Sequence, residues 1–154
     1  MSLEILAYET TPLGTLCLRR RDLLSRPGMS VTEVTLDHEF LMSSYLTESE
    51  RMLSKIGLQR LAKSKGLDPA YDPEVHQLAW RVLVGGLGLG YTAAEALKSA
   101  NVGSVEVVEF LPEVIGWLND GLIPLSEILL AESLYCQVIS SKVNWSNVLS
   151  PTVL

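Results

Sequence analysis

Four glycines stand between an apolar run and a helix start in the stretch RVLVGGLGLGYTAAEAL, residues 81–97. Glycine has no Cβ, so these positions allow sharp backbone turns and the close approach of a ligand. The run Val82–Val84 predicts a strand buried on both faces of a parallel sheet. Thr92 is predicted to cap the helix that follows, with Glu95 as its capping-box partner. The glycines therefore predict the strand-to-helix turn of an α/β domain.

A second apolar run ends in a carboxylate. Val105–Val108 predicts the next strand, Glu109 ends it, and Pro112 opens a helix at a position where its missing N–H costs nothing. A carboxylate at such a strand end accepts the hydroxyl hydrogens of a ribose. The order strand, glycine loop, helix, strand, acid predicts a nucleotide-binding site.

The glycine loop fits two registers, which indicate different ligands. From Gly88, GLGYTA matches the G-x-G-x-x-A fingerprint of dinucleotide-binding domains, with Glu109 about twenty residues further on. This register predicts an NAD-binding oxidoreductase fragment. The register that begins at Gly85 indicates a different nucleotide.

From Gly85, VLVGGLGLGYTAAEAL resembles the first motif of spermidine synthases and their relatives with the class I S-adenosylmethionine-dependent methyltransferase fold. The resemblance continues through VEVVEFLPEVIGWL, which is similar to that family's second strand and its ribose-binding acid. Upstream, YETTPLGTLCLRR and LDHEFLMSSYLTESERML resemble its β-rich N-terminal module and substrate-approach segment. The segments cover most of residues 5–120.

The resemblance implies an α/β protein in which a small β-rich module precedes a partial Rossmann-like parallel sheet. It implies that S-adenosylmethionine or its decarboxylated form binds as substrate, without a metal, and that an amine is the possible acceptor of an aminopropyl or methyl group. The residues implied to hold the nucleotide are Gly85, Gly86, Leu87, Gly88, Gly90, Glu109 and Phe110.

Several positions depart from the family pattern. Spermidine synthases carry an aspartate within the glycine loop, where this chain has Gly88 and Leu89. Glu39 and Glu50 are possible stand-ins for carboxylates of the N-terminal segment. Only 45 residues follow Glu109, and the family's downstream catalytic acids have no counterpart among them. We therefore expect a shortened relative with reduced or absent turnover, and no catalytic residue is assigned.

The first third of the chain predicts β structure followed by one helix. EILAYETTPLGTLCLRR indicates a hairpin with turn residues at Thr11 and Gly14, and MSVTEVTLDHEF indicates a further strand. Thr47 and Glu50 form a predicted capping box, and Gly66 a predicted helix stop. The expected organisation is a module over residues 1–66, a linker over 67–80 and a truncated nucleotide-binding domain over 81–154.

Composition limits the remaining classes of function. The net charge of −6 argues against nucleic-acid binding, and Cys17, Cys136 and the two histidines show no metal-ligand spacing. No apolar stretch is long enough to cross a bilayer and no targeting segment is recognisable, so a cytoplasmic protein is expected. An unfinished sheet exposes an edge, so a homo-oligomer is expected, and a non-catalytic dimerisation or interaction module remains a third alternative.

Overall fold

The computed structural model describes residues 2–66 and 80–132 in full and the strand 136–140 by its backbone. Its elements, in chain order, are β1 Leu3–Thr11, β2 Gly14–Asp22, β3 Ser30–Leu36, β4 Glu39–Ser43, α1 Glu48–Ser64, β5 Trp80–Gly85, α2 Tyr91–Leu97, β6 Val102–Glu109, α3 Pro112–Asn119, α4 Ser126–Ala131 and β7 Cys136–Ser140. Residues 67–79 of the predicted linker lie outside the described residues. The last residue of the predicted linker, Trp80, is the first residue of β5.

The N-terminal strands form an antiparallel sheet in the order β1-β2-β3-β4. The predicted hairpin is confirmed: at its turn the Thr11 hydroxyl donates a hydrogen bond to the carbonyl of Gly14 and accepts one from the N–H of Leu13. Leu16, Leu18 and Val34 are buried on the inner face of this sheet. Alternating apolar residues thus supply one face of the sheet to the core.

The outer face of the sheet carries a buried carboxylate between two guanidinium groups. Glu33 is 4% exposed, and its two oxygens accept hydrogen bonds from Arg19 at 3.0 Å and from Arg21 at 2.6 and 2.9 Å. The bonds from Arg21, then Arg19, lower the pKa of Glu33 despite its burial. Both charged partners come from the neighbouring strand, so this ion pair joins β2 to β3.

The stretch MSVTEVTLDHEF forms two strands and not one. Asp37 and His38 have φ of 47° and 71° and connect β3 to β4 as a two-residue hairpin turn. Two positive φ angles match the twist of a tight hairpin, and aspartate and histidine tolerate them better than most residues do. The Asp37 carboxylate also accepts a hydrogen bond from the N–H of Thr15 at 2.6 Å, which fixes the turn to β2.

The long predicted helix is present as α1. It begins after Thr47 and is followed by Gly66 with φ of 70°, as the helix start and stop signals indicate. The prediction that Thr47 and Glu50 form a capping box is wrong. The Thr47 hydroxyl accepts a hydrogen bond from Nε of Arg51, while the Glu50 carboxylate accepts one from Ser49.

The parallel strands form a sheet in the order β5-β6-β7. Val82 and Val84 face the core side, where Val84 is 7% exposed, but Leu83 points the other way and is 49% exposed. The prediction that β5 is buried on both faces is therefore wrong, because the face that carries Arg81 and Leu83 borders a cavity beside α1 and not a packed core. SLYCQVIS, residues 133–140, predicts one further strand, and β7 is that strand.

Three short helices accompany the parallel sheet. Ala93 and Ala96 of α2 are buried. Pro112 occupies the first turn of α3, as predicted. Helix α4 was not predicted from the sequence; it has six residues and one buried leucine, Leu129. So short a helix shows too few turns for an apolar period to stand out.

One hydrophobic core joins the two parts of the chain. Leu16, Leu18 and Val34 of the N-terminal sheet belong to the same buried cluster as Val84, Val107 and Trp117 of the α/β part. Met42 of β4 packs against that cluster. The antiparallel sheet therefore contacts the glycine loop directly.

Candidate functional site

The glycine loop runs from the end of β5 to the start of α2. Three of its glycines have φ angles in the left-handed region: 90° at Gly86, 54° at Gly88 and 87° at Gly90. An L-residue rarely adopts such angles, so the backbone path itself requires these glycines. Gly85 has ordinary φ and is the last residue of β5.

The surroundings divide the four glycines into two pairs. At Gly85 and Gly86, no atom of the described residues comes within 4 Å of the place a Cβ would occupy. A Cβ on Gly88 would lie 3.2 Å from Sδ of Met42, and one on Gly90 would lie 2.5 Å from Cδ1 of Leu129. The first pair faces open space and the second pair is covered by the protein's own side chains.

The carboxylate of Glu109 lies directly beside this loop. Glu109 is 8% exposed, and its Oε2 accepts a hydrogen bond from the N–H of Leu87 at 2.7 Å. Its Oε1 accepts one from the N–H of Leu111 at 2.9 Å. Parallel pairing of β5 with β6 makes this possible, because Gly85 is in register with Val108 and the two strands end side by side. The acid thus connects the glycine loop to the start of α3.

Leu87 and Phe110 differ in what they can offer a ligand. The Leu87 side chain is 5% exposed and belongs to the core, while its backbone N–H donates to Glu109, so Leu87 positions the acid and presents no side chain to a ligand. Phe110 follows Glu109 and is 56% exposed. Its ring is an apolar surface at the open end of β6.

Helix α1 supports the helix that follows the loop. Ser54 donates a hydrogen bond to the carbonyl of Thr92 at 2.6 Å, and Thr92 donates one to the carbonyl of Glu50 at 3.2 Å. The prediction that Thr92 caps α2 is wrong: α2 begins at Tyr91 after Gly90. The Thr92 hydroxyl is used instead to join α2 to α1.

Glu95 is likewise a link between helices and not a capping partner. Its side chain is 9% exposed and lies 2.8 Å from Nζ of Lys98, 3.1 Å from a guanidinium nitrogen of Arg51 and 3.6 Å from Nζ of Lys55. The Lys98 ammonium, together with Arg51, lowers the pKa of Glu95. Arg51 also stacks 4.9 Å from the ring centre of Tyr91, and burial raises the pKa of that tyrosine.

The two possible stand-in carboxylates do not join the loop. Glu39 is exposed on β4, and the Glu50 carboxylate accepts its bond from Ser49 on α1. Among the described residues, Glu109 is the one side chain hydrogen-bonded to residues 85–90. Met42 and Leu129, which cover the loop, were not identified from the sequence, because each contact joins segments far apart in the chain.

Two further observations bear on other classes of site. Within residues 2–66 and 80–132, no group of three or more histidine, cysteine, aspartate or glutamate side chains is placed to hold a metal ion. No helix in the described part of the chain is long and apolar enough to span a bilayer.

The fold has solved counterparts. One is a spermidine synthase in complex with the transition-state analogue AdoDATO, with a TM-score of 0.51 and 14% sequence identity over 90% of this chain and 40% of that one. The chain has a spermidine synthase-like fold. A second counterpart, spermidine synthase from Thermotoga maritima, gives a TM-score of 0.52 and 14% identity over 94% of this chain and 42% of that one.

The fold resemblance indicated by the glycine loop and Glu109 is therefore confirmed. The likeness is one of fold, and this chain spans about two fifths of the length of those spermidine synthases. No protein-family model and no curated protein sequence matches the chain.

Proposed function

We propose that this chain binds a sulfonium nucleoside of the S-adenosylmethionine class at the carboxyl ends of β5 and β6. The observation that carries the proposal is the open space at Gly85 and Gly86 beside the buried carboxylate of Glu109. Ligands of open α/β sheets bind outside the carboxyl ends of the strands, where a backbone without side chains allows close approach.

Glu109 has capacity for a ribose in addition to its two backbone partners. A carboxylate offers about four lone-pair positions, and two are used by Leu87 and Leu111. The remaining positions can accept ribose hydroxyls. The exposed ring of Phe110 offers an apolar face against which the purine can pack.

The two glycine pairs favour a sulfonium nucleoside over NAD. The dinucleotide fingerprint begins at Gly88 and needs its second glycine, Gly90, open to a pyrophosphate. Here Met42 lies over Gly88 and Leu129 over Gly90. The open pair belongs instead to the register that begins at Gly85, and spermidine synthases are the structures that share this fold.

Aminopropyl or methyl transfer also requires a base that keeps the attacking amine neutral. Among the described residues, Glu109 is the one carboxylate hydrogen-bonded to the loop, and the proposed ribose takes its remaining acceptor positions. The proposal for this chain is therefore nucleotide binding with slow or absent transfer to an amine acceptor. A purified chain that transfers an aminopropyl group rapidly would contradict this part.

The binding proposal is tested by thermal denaturation with methylthioadenosine, S-adenosylmethionine, its decarboxylated form or NAD. A ligand at 100 times its dissociation constant stabilises a protein by about 2.7 kcal/mol, which for this size raises the melting temperature by about 5–10 °C. We expect the sulfur nucleosides to produce the shift and NAD not to.

Gly85→Ala is the decisive variant. Its φ is ordinary and its surroundings are open, so the fold tolerates a methyl group there, while a bound nucleoside loses the space. Gly116→Ala on α3 is the matched control, because it is the same change at another open position. We expect Gly85→Ala to lose the shift and Gly116→Ala to keep it. Equal shifts in both variants, or no shift in the unmodified chain, would rule out the proposed site.

A further inference from the structure

The hydrogen bonds of the glycine loop hold its two ends and not its centre. The N–H of Leu87 donates to the carboxylate of Glu109 at 2.7 Å, and the N–H of Gly90 donates to the carbonyl of Leu87 at 2.9 Å. Between them, the N–H groups of Gly88 and Leu89 donate to no residue in the described part of the chain. Glycine has more backbone freedom than any other residue, so packing is needed to fix the centre of this loop.

The side chain that packs on Gly88 is Met42 of β4. A Cβ on Gly88 would lie 3.2 Å from Sδ and 3.7 Å from Cε of Met42. Met42 is partly buried and also packs against the hydrophobic core, which fixes the stem of the side chain. Its thioether end therefore lies on the loop from a sheet that belongs to the N-terminal part of the chain.

A β-bulge gives Met42 this position. β3 and β4 pair Thr35 with Phe40 but Val34 with Met42, so Leu41 is an extra residue without a partner on β3. Regular antiparallel pairing would place Leu41 opposite Val34, which is buried in the core. The extra residue places Met42 there instead. Bulges are over-represented next to active sites, where they re-aim a side chain.

We propose that Met42 is a positioning residue for the nucleoside site. Through this side chain, the N-terminal sheet holds Gly88 and keeps the loop in the conformation that binds. This role rests on the proposed function, because the ligand is the nucleoside assigned to Gly85, Gly86 and Glu109. A loop that is in its binding conformation about one tenth of the time binds about tenfold more weakly.

Hydrogen exchange of the loop amides tests the positioning without a ligand. We expect Met42→Ala to speed exchange at Leu87 and Gly90 more than at Val107 in β6, because the loop opens while the sheet stays closed. Met42→Leu should restore the protection, since leucine and methionine fill similar volumes. Leu41→Ala is the control, at a 46% exposed position of the same strand, and should exchange like the unmodified chain. Unchanged exchange in Met42→Ala, or an equal rise at Val107, overturns the proposal.

Nucleoside affinity tests the consequence for binding. In calorimetric titrations well below the melting temperature of each variant, we expect Met42→Ala to bind methylthioadenosine about tenfold more weakly than the unmodified chain. Met42→Leu and Leu41→Ala should bind like the unmodified chain. Equal affinity in Met42→Ala overturns the proposal. An unmodified chain that does not bind methylthioadenosine contradicts the proposed function instead, and the exchange comparison still decides whether Met42 fixes the loop.

Discussion

At the scale of single residues, the glycine loop contains two glycines that the protein's own side chains cover and two that face open space. The sequence motif alone does not distinguish these two pairs. Gly88 and Gly90 have positive φ, and the side chains of Met42 and Leu129 lie close to the positions that their Cβ atoms would take. Gly85 and Gly86 face open space, which is the property a ligand needs. Spacing alone identified all four as one motif, since the covering side chains come from β4 and α4.

Glu109→Gln tests the role of the buried carboxylate in holding the loop. Glutamine keeps one acceptor oxygen and replaces the other with an NH₂ group, so the N–H of Leu87 or Leu111 then faces a donor. Leaving a buried donor unpaired costs about 1–3 kcal/mol. We expect urea denaturation to show that loss in Glu109→Gln. Glu9→Gln, at an exposed position of β1, is the control and should unfold like the unmodified chain. If Glu109→Gln also unfolds like the unmodified chain, the hydrogen bonds of Glu109 to Leu87 and Leu111 do not stabilise the fold.

At the scale of elements, strands and long helices were predictable where their own residues carry the pattern. The hairpin, α1 and the strand–loop–helix unit follow from local alternation, helix period and glycine position. The Asp37–His38 turn was missed because His38 stands where the usual two-residue hairpin signal, Asp-Gly, has glycine, although both residues tolerate positive φ. The capping roles of Thr92 and Glu95 were wrong because α1, distant in sequence, supplies competing partners.

The ion pairs of Glu95 predict how the docking of α1 on α2 depends on pH. Lys98 and Arg51 lower the pKa of Glu95 in the folded chain. Their stabilising effect is therefore complete above the ordinary glutamate pKa and is lost as the pH falls through the lower folded value. A partly exposed ion pair contributes about 0.2–1 kcal/mol.

We therefore expect Glu95→Gln to lower the melting temperature at pH 7 by about 1–4 °C. The difference from the unmodified chain should narrow as the pH falls below the ordinary glutamate pKa and through the lowered pKa of folded Glu95, because the carboxylate loses its charge over that interval. Melting curves from pH 7 to pH 3 measure this difference in melting temperature. Glu9→Gln is the control, and its difference from the unmodified chain should not change with pH. A gap that stays constant over this range would show that the charge of Glu95 is not what stabilises the contact.

At the scale of the whole molecule, the sequence predicts a β-rich module, a linker and an α/β domain, and that division stays a prediction. The buried cluster nevertheless passes from Leu16, Leu18 and Val34 to Val84, Val107 and Trp117. Met42 of β4 packs over Gly88. A core shared in this way couples the stability of the N-terminal sheet to the geometry of the glycine loop.

Leu18→Ala tests that coupling, because Trp80 in β5 and Trp117 in α3 report on the α/β part of the chain. Leu18 is fully buried, and truncating such a leucine costs about 2–5 kcal/mol. If the chain unfolds as one cooperative unit, tryptophan fluorescence and far-ultraviolet circular dichroism should show the same shift to lower urea. Ile5→Ala, at a 61% exposed position of the same sheet, should move neither curve appreciably. A fluorescence transition that stays in place while the dichroism transition shifts would mean that the antiparallel sheet unfolds separately. The N-terminal sheet would then have no energetic influence on the glycine loop.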